Sequence, residues 1–340
     1  MKINAHSHLL PEPNQIPEFL KKNKLFTIDS DKRFMRQGDW SRPITHPSFF
    51  IKEKLKWMKN HGIDHAVVLC LSQLYCNGWK RKDTFDAIRF QNDFNSSIQE
   101  QYSQAFTCSF VVQPLYISDA LKEIERCVSK LNLKVLCLPT HFVSSDGKWI
   151  SIADEQVDPI FELANKYSLS IQIHPYDAEK MVNLEDKFWR FHLVWMLAQC
   201  ADTFHLFTLR GIPNKYPNIR TCFAHGCMLG IANYGRRLQG FDGRPDLFKE
   251  TTNPRSFLIH KNLFFDTLVH DSFTLELMKK RVGVSQIVAG LDDPYPLGEM
   301  EDVGSSFPGR VIDYAVETGI ISKQESNKIW KDNVLNWLGK

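Results

Sequence analysis

The sequence has no long apolar run. Its most hydrophobic stretch, residues 188–209, is broken by Arg190, His192, Gln199, Asp202 and His205, and nothing reaches the roughly 18 residues of a membrane span. The N-terminal MKINAHSHLL has neither the apolar segment nor the small-residue cleavage site of a secretory signal, so a cytoplasmic location is expected. Charge of one sign is scarce. Lys and Arg number 42 against 39 Asp and Glu, a net +3, whereas a nucleic-acid surface needs a concentrated basic face. The eight cysteines (Cys70, Cys76, Cys108, Cys127, Cys137, Cys200, Cys222, Cys227) include no CxxC pair. Several sit inside apolar runs such as AVVLCLS, TCSFVV and KVLCLP, where a thiol serves as a small core residue. Structural thiols are expected, not a disulfide framework. There is no Gly/Ser or Pro-rich linker, no repeat of about 20–50 residues, and no glycine-rich phosphate fingerprint after the first apolar run. A membrane span, a nucleic-acid partner and a dinucleotide-binding fold are all disfavoured.

What is present is a regular succession of short apolar runs in a chain of 340 residues, 43% hydrophobic and 24% charged. The runs are KINA (2–5), HAVVLCL (65–71), FTCSFVV (106–112), KVLCLP (134–139), SIQIH (170–174), RTCFAH (220–225), NLFFD (262–266) and QIVAGL (286–291). Most are nearly continuous, as expected of parallel strands buried on both faces. Helical patterns lie between them. KEKLKWMKNHG ends at Gly62, DALKEIERCVSKL follows a Ser118 cap, and SFTLELMKKRVG ends at Gly283. A last helix opens on a capping box, Ser322 to Glu325, and stops at Gly339. Eight strands with intervening helices predict an α/β fold, a (β/α)8 TIM barrel forming one domain over residues 1–340. Two connections are too long for turns: about forty residues after the first strand, and residues 226–261 after the sixth. In a barrel both emerge at the C-terminal face, where active sites are built.

The polar residues gather at the strand ends. His6 and His8 close the first strand as H-x-H, so their side chains share one face. His174 ends the fifth strand, His225 the sixth, Asp266 the seventh, and Asp292 follows the eighth. Imidazoles with a carboxylate suit a divalent ion such as Zn2+ with a position left open. Burying so many polar groups without partners costs about 1–3 kcal/mol each, which favours a metal site over coincidence. Asp266 reads equally as a partner to a ligating imidazole or as a strand-end residue. The other histidines, among them His192 and His270, read as surface or satisfied core residues. Trp189 and Trp195 read as helix-face packing, with a place in the pocket wall as the alternative.

H-x-H at the N-terminus, histidines on strands five and six and aspartate on strand eight resemble the amidohydrolase superfamily. IHPYD around His174, CFAHG around His225 and GLDDPYPLGE around Asp292 resemble its decarboxylase branch, typified by 2-amino-3-carboxymuconate-6-semialdehyde decarboxylases. The resemblance covers nearly the whole chain. It implies one Zn2+ per chain on His6, His8, His174 and Asp292, with the adjacent Asp293 a rival ligand, and no organic cofactor. It makes His225 the catalytic base, with His225 or Asp292 returning a proton to the carbon that loses CO2. Arg42 and Arg236 match arginines that read substrate carboxylates, the second contributed by the neighbouring subunit of a homodimer; Arg237 and Arg244 are weaker matches. The implied reaction converts 2-amino-3-carboxymuconate 6-semialdehyde to 2-aminomuconate 6-semialdehyde and CO2 in tryptophan (kynurenine) catabolism. A hydroxybenzoate-type acid, or metal-dependent hydrolysis, is the alternative. Cys227 and Leu291 depart from the branch pattern and are expected to reshape the pocket. KVLCLP carries no lysine at its mouth, which favours a single metal, and His141 just beyond it is a candidate pocket residue.

Overall fold

The computed structural model describes residues 1–182, 184–257, 260–301 and 304–340. Eight parallel strands follow one another around one sheet in chain order. They are β1 (Ile3–His8), β2 (His65–Leu69), β3 (Phe106–Val111), β4 (Val135–Pro139), β5 (Ser170–His174), β6 (Arg220–Phe223), β7 (Leu263–Asp266) and β8 (Ile287–Val288). Between β8 and β1 single backbone bonds replace a ladder. Ala5 N donates to Ala289 O at 2.6 Å and Asp292 N to His6 O at 2.8 Å, and Ser7 bridges Asp293. This is the (β/α)8 barrel that the apolar runs predict.

Alternate strand residues serve two buried layers, which is why the runs lack polar alternation. Val67, Leu69, Val135, Cys137, Cys222 and Phe264 pack in one. Val68, Leu136, Leu138, Ile171, Phe223 and Phe265 pack in the other, with helix residues such as Trp57, Ile124 and Phe204. Trp337 of the C-terminal helix joins the first layer, and its carbonyl accepts from Ser170 Oγ and Arg220 Nε. That helix has the expected capping box and ends at Gly339 in the left-handed conformation. All eight cysteines are buried and unpaired. Among the described residues no helix is long and apolar enough to cross a membrane.

Four of the barrel's helices are α1 (Ile51–Asn60), α2 (Ile117–Ser129), α3 (Met196–Leu209) and α4 (Ser272–Val282). Ser118 does not cap α2. A 3-10 turn at Pro114–Tyr116, held by the Gln113 side chain, runs directly into the helix and starts it at Ile117. Both long connections contain regular elements among their described residues. The first folds into a three-stranded antiparallel sheet, Thr27–Ile28, Phe34–Gln37 and Trp40–Pro43. The second contains helices Met228–Ala232 and Tyr234–Gly243. A third excursion, residues 175–195 after β5, ends in a π-helical turn at Phe191–Trp195.

One buried acid gives the fold a pH dependence. Glu299 accepts from Gly309 N at 2.8 Å and from Val311 N at 3.3 Å, at the start of helix Arg310–Glu317. Burial pushes its pKa up from 4.5 to about 7. The folded state therefore holds this proton more tightly than the unfolded chain, so stability falls as pH rises through that window. Glu299→Gln is expected to remove this slope, worth on the order of 2–3 kcal/mol, in urea unfolding compared at pH 5 and pH 8. An unchanged slope would place the titration elsewhere.

Candidate active site

The C-terminal ends of β1, β5 and β6 and the segment after β8 converge on one cluster. His6, His8, His174 and Asp292, all buried, offer ligand atoms within 4.8 Å of one another. The Nε2 atoms of His6 and His8 are 3.2 Å apart, and Asp292 Oδ1 lies 3.3 Å and 3.1 Å from them. Two rings are oriented from behind. His6 Nδ1 donates to Asp266 Oδ2 at 2.8 Å, and His174 Nδ1 donates to Pro175 O at 2.8 Å. That turns each Nε2 toward the cluster, the arrangement that prepares an imidazole for a metal. His174 Nε2 is buried and has no hydrogen-bond partner among the described residues. Three imidazoles, one carboxylate and an orphaned nitrogen fit a zinc-type ion.

The electrostatics favour a cation among these groups, a proton on His6 or a metal ion that displaces it. Burial opposes a charge on His6, yet Asp292 and Asp266 outweigh it and push its pKa up to about 10. Burial also works against ionised Asp292, but His6 and His8 hold its carboxyl well below the usual range. Burial drives His174 well below the ordinary imidazole value, helped by His225 and His6. The cluster concentrates one negative charge among rings, two of which prefer to be neutral.

His225 stands beside this group. Its Nε2 is 3.9 Å from Asp292 Oδ2, and its ring stacks on His6 with centroids 5.8 Å apart. The chain reaches it through an unusual turn in which His225, Gly226 and Cys227 all have positive φ (55°, 59° and 45°). Asp266 holds the turn, its Oδ1 accepting from Gly226 N at 2.8 Å. A Cβ at position 226 would lie 2.5 Å from Val269 Cγ1 and 3.1 Å from Asp266 O. Asp266 thus ties His6 and the His225 turn together and is the orienting partner, not merely a strand end. Burial lowers the His225 pKa to about 4, so its imidazole is neutral near pH 7.

A cavity of about 270 Å³ opens over His174, His225 and Asp292, close to the lower end of the roughly 300–1,000 Å³ of small-molecule sites. Leu193, Met196, Leu197, Leu268, Pro296 and Leu297 make much of its wall apolar. Arg42, on the hairpin strand Trp40–Pro43, supplies the cation. Its guanidinium lies 5.4 Å from the Tyr295 ring centre and donates to His192 Nε2. Accepting that bond keeps the His192 proton on Nδ1. Burial and Arg42 together lower the His192 pKa to about 4, and Trp189 stacks on the ring at 4.9 Å.

Of the arginines singled out in the sequence, only Arg42 lines this cavity among the described residues. Arg236 is exposed on helix Tyr234–Gly243. Arg237 is buried against Phe204 and donates to His205 Nδ1 and Thr208 Oγ1, while Arg244 pairs with Asp246 at the surface. Asp293 turns away from the cluster toward Asn4, Ser7 and Lys54. His141 pairs with Asp202 at 2.9 Å beside a different cavity of about 170 Å³. Cys227 and Leu291 are buried in the core and line neither cavity, so the expected reshaping of the pocket does not arise from direct contact. Sequence reasoning missed His192 and His270 as pocket residues, and Trp189 takes the pocket-wall role that was the alternative to helix packing. A signal existed for His270, four residues past Asp266 at the C-terminal end of β7, where site residues concentrate.

The chain matches the amidohydrolase family Amidohydro_2 over residues 3–333. It is 31% identical to a 2-amino-3-carboxymuconate-6-semialdehyde decarboxylase of Caenorhabditis elegans, covering 98% of this chain and 93% of that protein. It is 25% identical to the protein of the same name in Dictyostelium discoideum, covering 100% and 92%. The fold superposes on the crystal structure of 5-carboxyvanillate decarboxylase from Sphingomonas paucimobilis with a TM-score of 0.74 at 16% identity, over 99% and 98% of the two chains. With a match running almost end to end, on a barrel whose strand ends carry the histidine–aspartate cluster, the chain belongs to the amidohydrolase family.

Proposed function

We propose that the protein is a zinc-dependent, non-oxidative decarboxylase that converts 2-amino-3-carboxymuconate 6-semialdehyde to 2-aminomuconate 6-semialdehyde and CO2. The observation that carries this reading is the juxtaposition of neutral His225, 3.9 Å from Asp292, with Arg42 in the wall of the same largely apolar cavity. The two relatives above, named for this reaction, support the choice of substrate.

His6, His8, His174 and Asp292 would hold the ion, which supplies a fixed positive charge that polarises the bound substrate. Arg42 binds a substrate carboxylate through charge-assisted hydrogen bonds and so sets its orientation. His192 fixes the guanidinium, and Trp189 and Tyr295 flank a planar conjugated body. When the carbon–carboxylate bond breaks, its electron pair stays on carbon and needs a proton there. His225, neutral at the start, takes up a proton from solvent water and delivers it to that carbon, with Asp292 beside it to balance the imidazolium. No electron acceptor is consumed. Arg236, exposed in the single chain, serves the neighbouring pocket of a cytoplasmic homodimer of these one-domain chains.

The test is turnover of freshly generated 2-amino-3-carboxymuconate 6-semialdehyde by zinc-loaded protein, following ultraviolet absorbance and released CO2 together. Matched loss of substrate and release of CO2 is expected. Substrate loss without CO2 would point to hydrolysis. Turnover of a hydroxybenzoate alone would keep the reaction and change the substrate.

A further inference from the structure

Behind the histidine–aspartate cluster lies a second polar assembly that takes no part in the chemistry above. Lys54, on α1, is wholly buried. Its Nζ is ion-paired with the Asp293 carboxylate and lies 3.0 Å from Ser7 Oγ and 3.5 Å from Asp293 O. Asp293 Oδ1 accepts from Asn4 Nδ2, and Oδ2 from both Ser7 Oγ, at 3.0 Å, and Lys54. Asn4 Oδ1 in turn accepts from His6 N at 3.0 Å and Leu291 N at 3.1 Å. Asn4, Ser7, Lys54 and Asp293 all have 0% exposure.

The position of this assembly in the chain gives it meaning. Ser7 lies between His6 and His8, and Asp293 directly follows Asp292. His8 N donates to Asp293 O at 2.8 Å, and Asp292 N to His6 O at 2.8 Å. Three of the four candidate ligands are thus one residue from the clamp. Asp292 itself has φ +51°, a region that few non-glycine residues occupy and that persists only where surrounding contacts over-determine it. A buried ion pair is a weak source of stability, because desolvation offsets its attraction. Its effect here is geometric. Both oxygens of Asp293 are engaged, so a carboxylate adjacent to a ligand is kept away from the ion.

We propose that Lys54 is a positioning residue that sequesters Asp293, fixing Asp292 and the H-x-H strand so that the site takes one ion with one carboxylate. This rests on the metal-dependent reading above. Without Lys54, Asp293 is left as an uncompensated buried charge and gains most by turning toward the ion.

The test uses metal binding, independent of substrate. Lys54→Met, Lys54→Arg and the charge-neutral pair Lys54→Met/Asp293→Asn are compared with the wild type by zinc titration, thermal melting and the visible spectrum of the Co2+-substituted protein. Lys54→Met is expected to weaken zinc by about 10- to 100-fold, the range for partners that orient ligands, because the displaced Asp292 and H-x-H strand cost more than the incoming Asp293 carboxylate returns. Its Co2+ bands should weaken and shift toward higher coordination as Asp293 joins the ion. Lys54→Arg should restore the wild-type spectrum. The double variant should regain both the wild-type melting temperature and the wild-type spectrum, yet bind zinc about tenfold more weakly because the clamp on Ser7 is gone. A folded Lys54→Met with wild-type spectrum and affinity would overturn the proposal. If that variant does not fold, a double variant with wild-type zinc affinity would overturn it equally. Wild-type protein that binds neither zinc nor cobalt would overturn the metal-dependent reading itself, an outcome distinct from failure of the substrate assignment.

Discussion

Replacing His225 with asparagine is expected to lower kcat by roughly 100- to 10,000-fold, the usual value of a positioned acid–base group, with little change in zinc content. The substitution isolates proton transfer. His225 is outside the four-residue group that could hold the ion, so the ligands remain. Asparagine tolerates the left-handed backbone that His225 adopts at φ 55°, and the Gly226 N bond to Asp266 that holds the turn involves no atom of the replaced side chain. What is lost is a group that can take up and release a proton. Burial lowers the His225 pKa to about 4, so the neutral base predominates from pH 8 down to pH 5, and its titration should not depress wild-type turnover over that range. Steady-state kinetics with metal analysis on the same samples check both statements. Near-normal turnover with metal bound would remove the proton role from His225 and direct attention to His270, which lines the same cavity.

The parts of this molecule that could be read from sequence share a physical cause. Strands buried on both faces produce near-continuous apolar runs, and seven of the eight runs overlap a strand of four or more residues. QIVAGL is the exception, because β8 covers only Ile287–Val288. From Ala289 the chain leaves the ladder to pass β1, and a Cβ on Gly290 would lie 2.7 Å from Asp266 Cβ and 3.0 Å from His6 Cβ. The histidines and aspartates of the cluster were legible because barrel chemistry sits at strand ends, whereas the choice of His6, His8, His174 and Asp292 as the group to hold an ion came from the family resemblance. Arg42, by contrast, is found only through the family resemblance, since nothing local in SRPI announces that a hairpin will fold back over the barrel mouth. His192 was hidden by its setting in an apolar stretch that reads as a helix, and the same setting made packing the first reading of Trp189. In the structure Trp189 precedes the helix with φ 59° and stacks on His192. Lys54 was hidden for a similar reason. One face of α1 reads as charged, and only the tertiary fold reveals that this lysine points inward to Asp293.

Removing the ion is expected to abolish turnover, and Asp292→Asn should do the same at zinc concentrations that saturate the wild type. Asp292 is the one carboxylate among four donors, and Asn offers a neutral oxygen in its place. The expected loss of zinc affinity exceeds the roughly 10- to 100-fold that an orienting partner contributes, because this substitution removes a ligand charge directly. The scaffold should survive. Asp266 still orients His6 at 2.8 Å, Pro175 O still orients His174, and Asp293 stays paired with Lys54. Stability gives a readout independent of catalysis, since a ligand present at a hundred times its Kd adds about 2.7 kcal/mol to the folded state. Wild-type protein treated with a chelator should therefore melt lower and regain both heat stability and turnover when zinc is returned, whereas Asp292→Asn should regain neither at that zinc concentration. An Asp292→Asn protein that holds one zinc per chain and turns over substrate would mean that another group supplies the anionic ligand. Asp293, one residue away and released from Lys54, would be the first to examine.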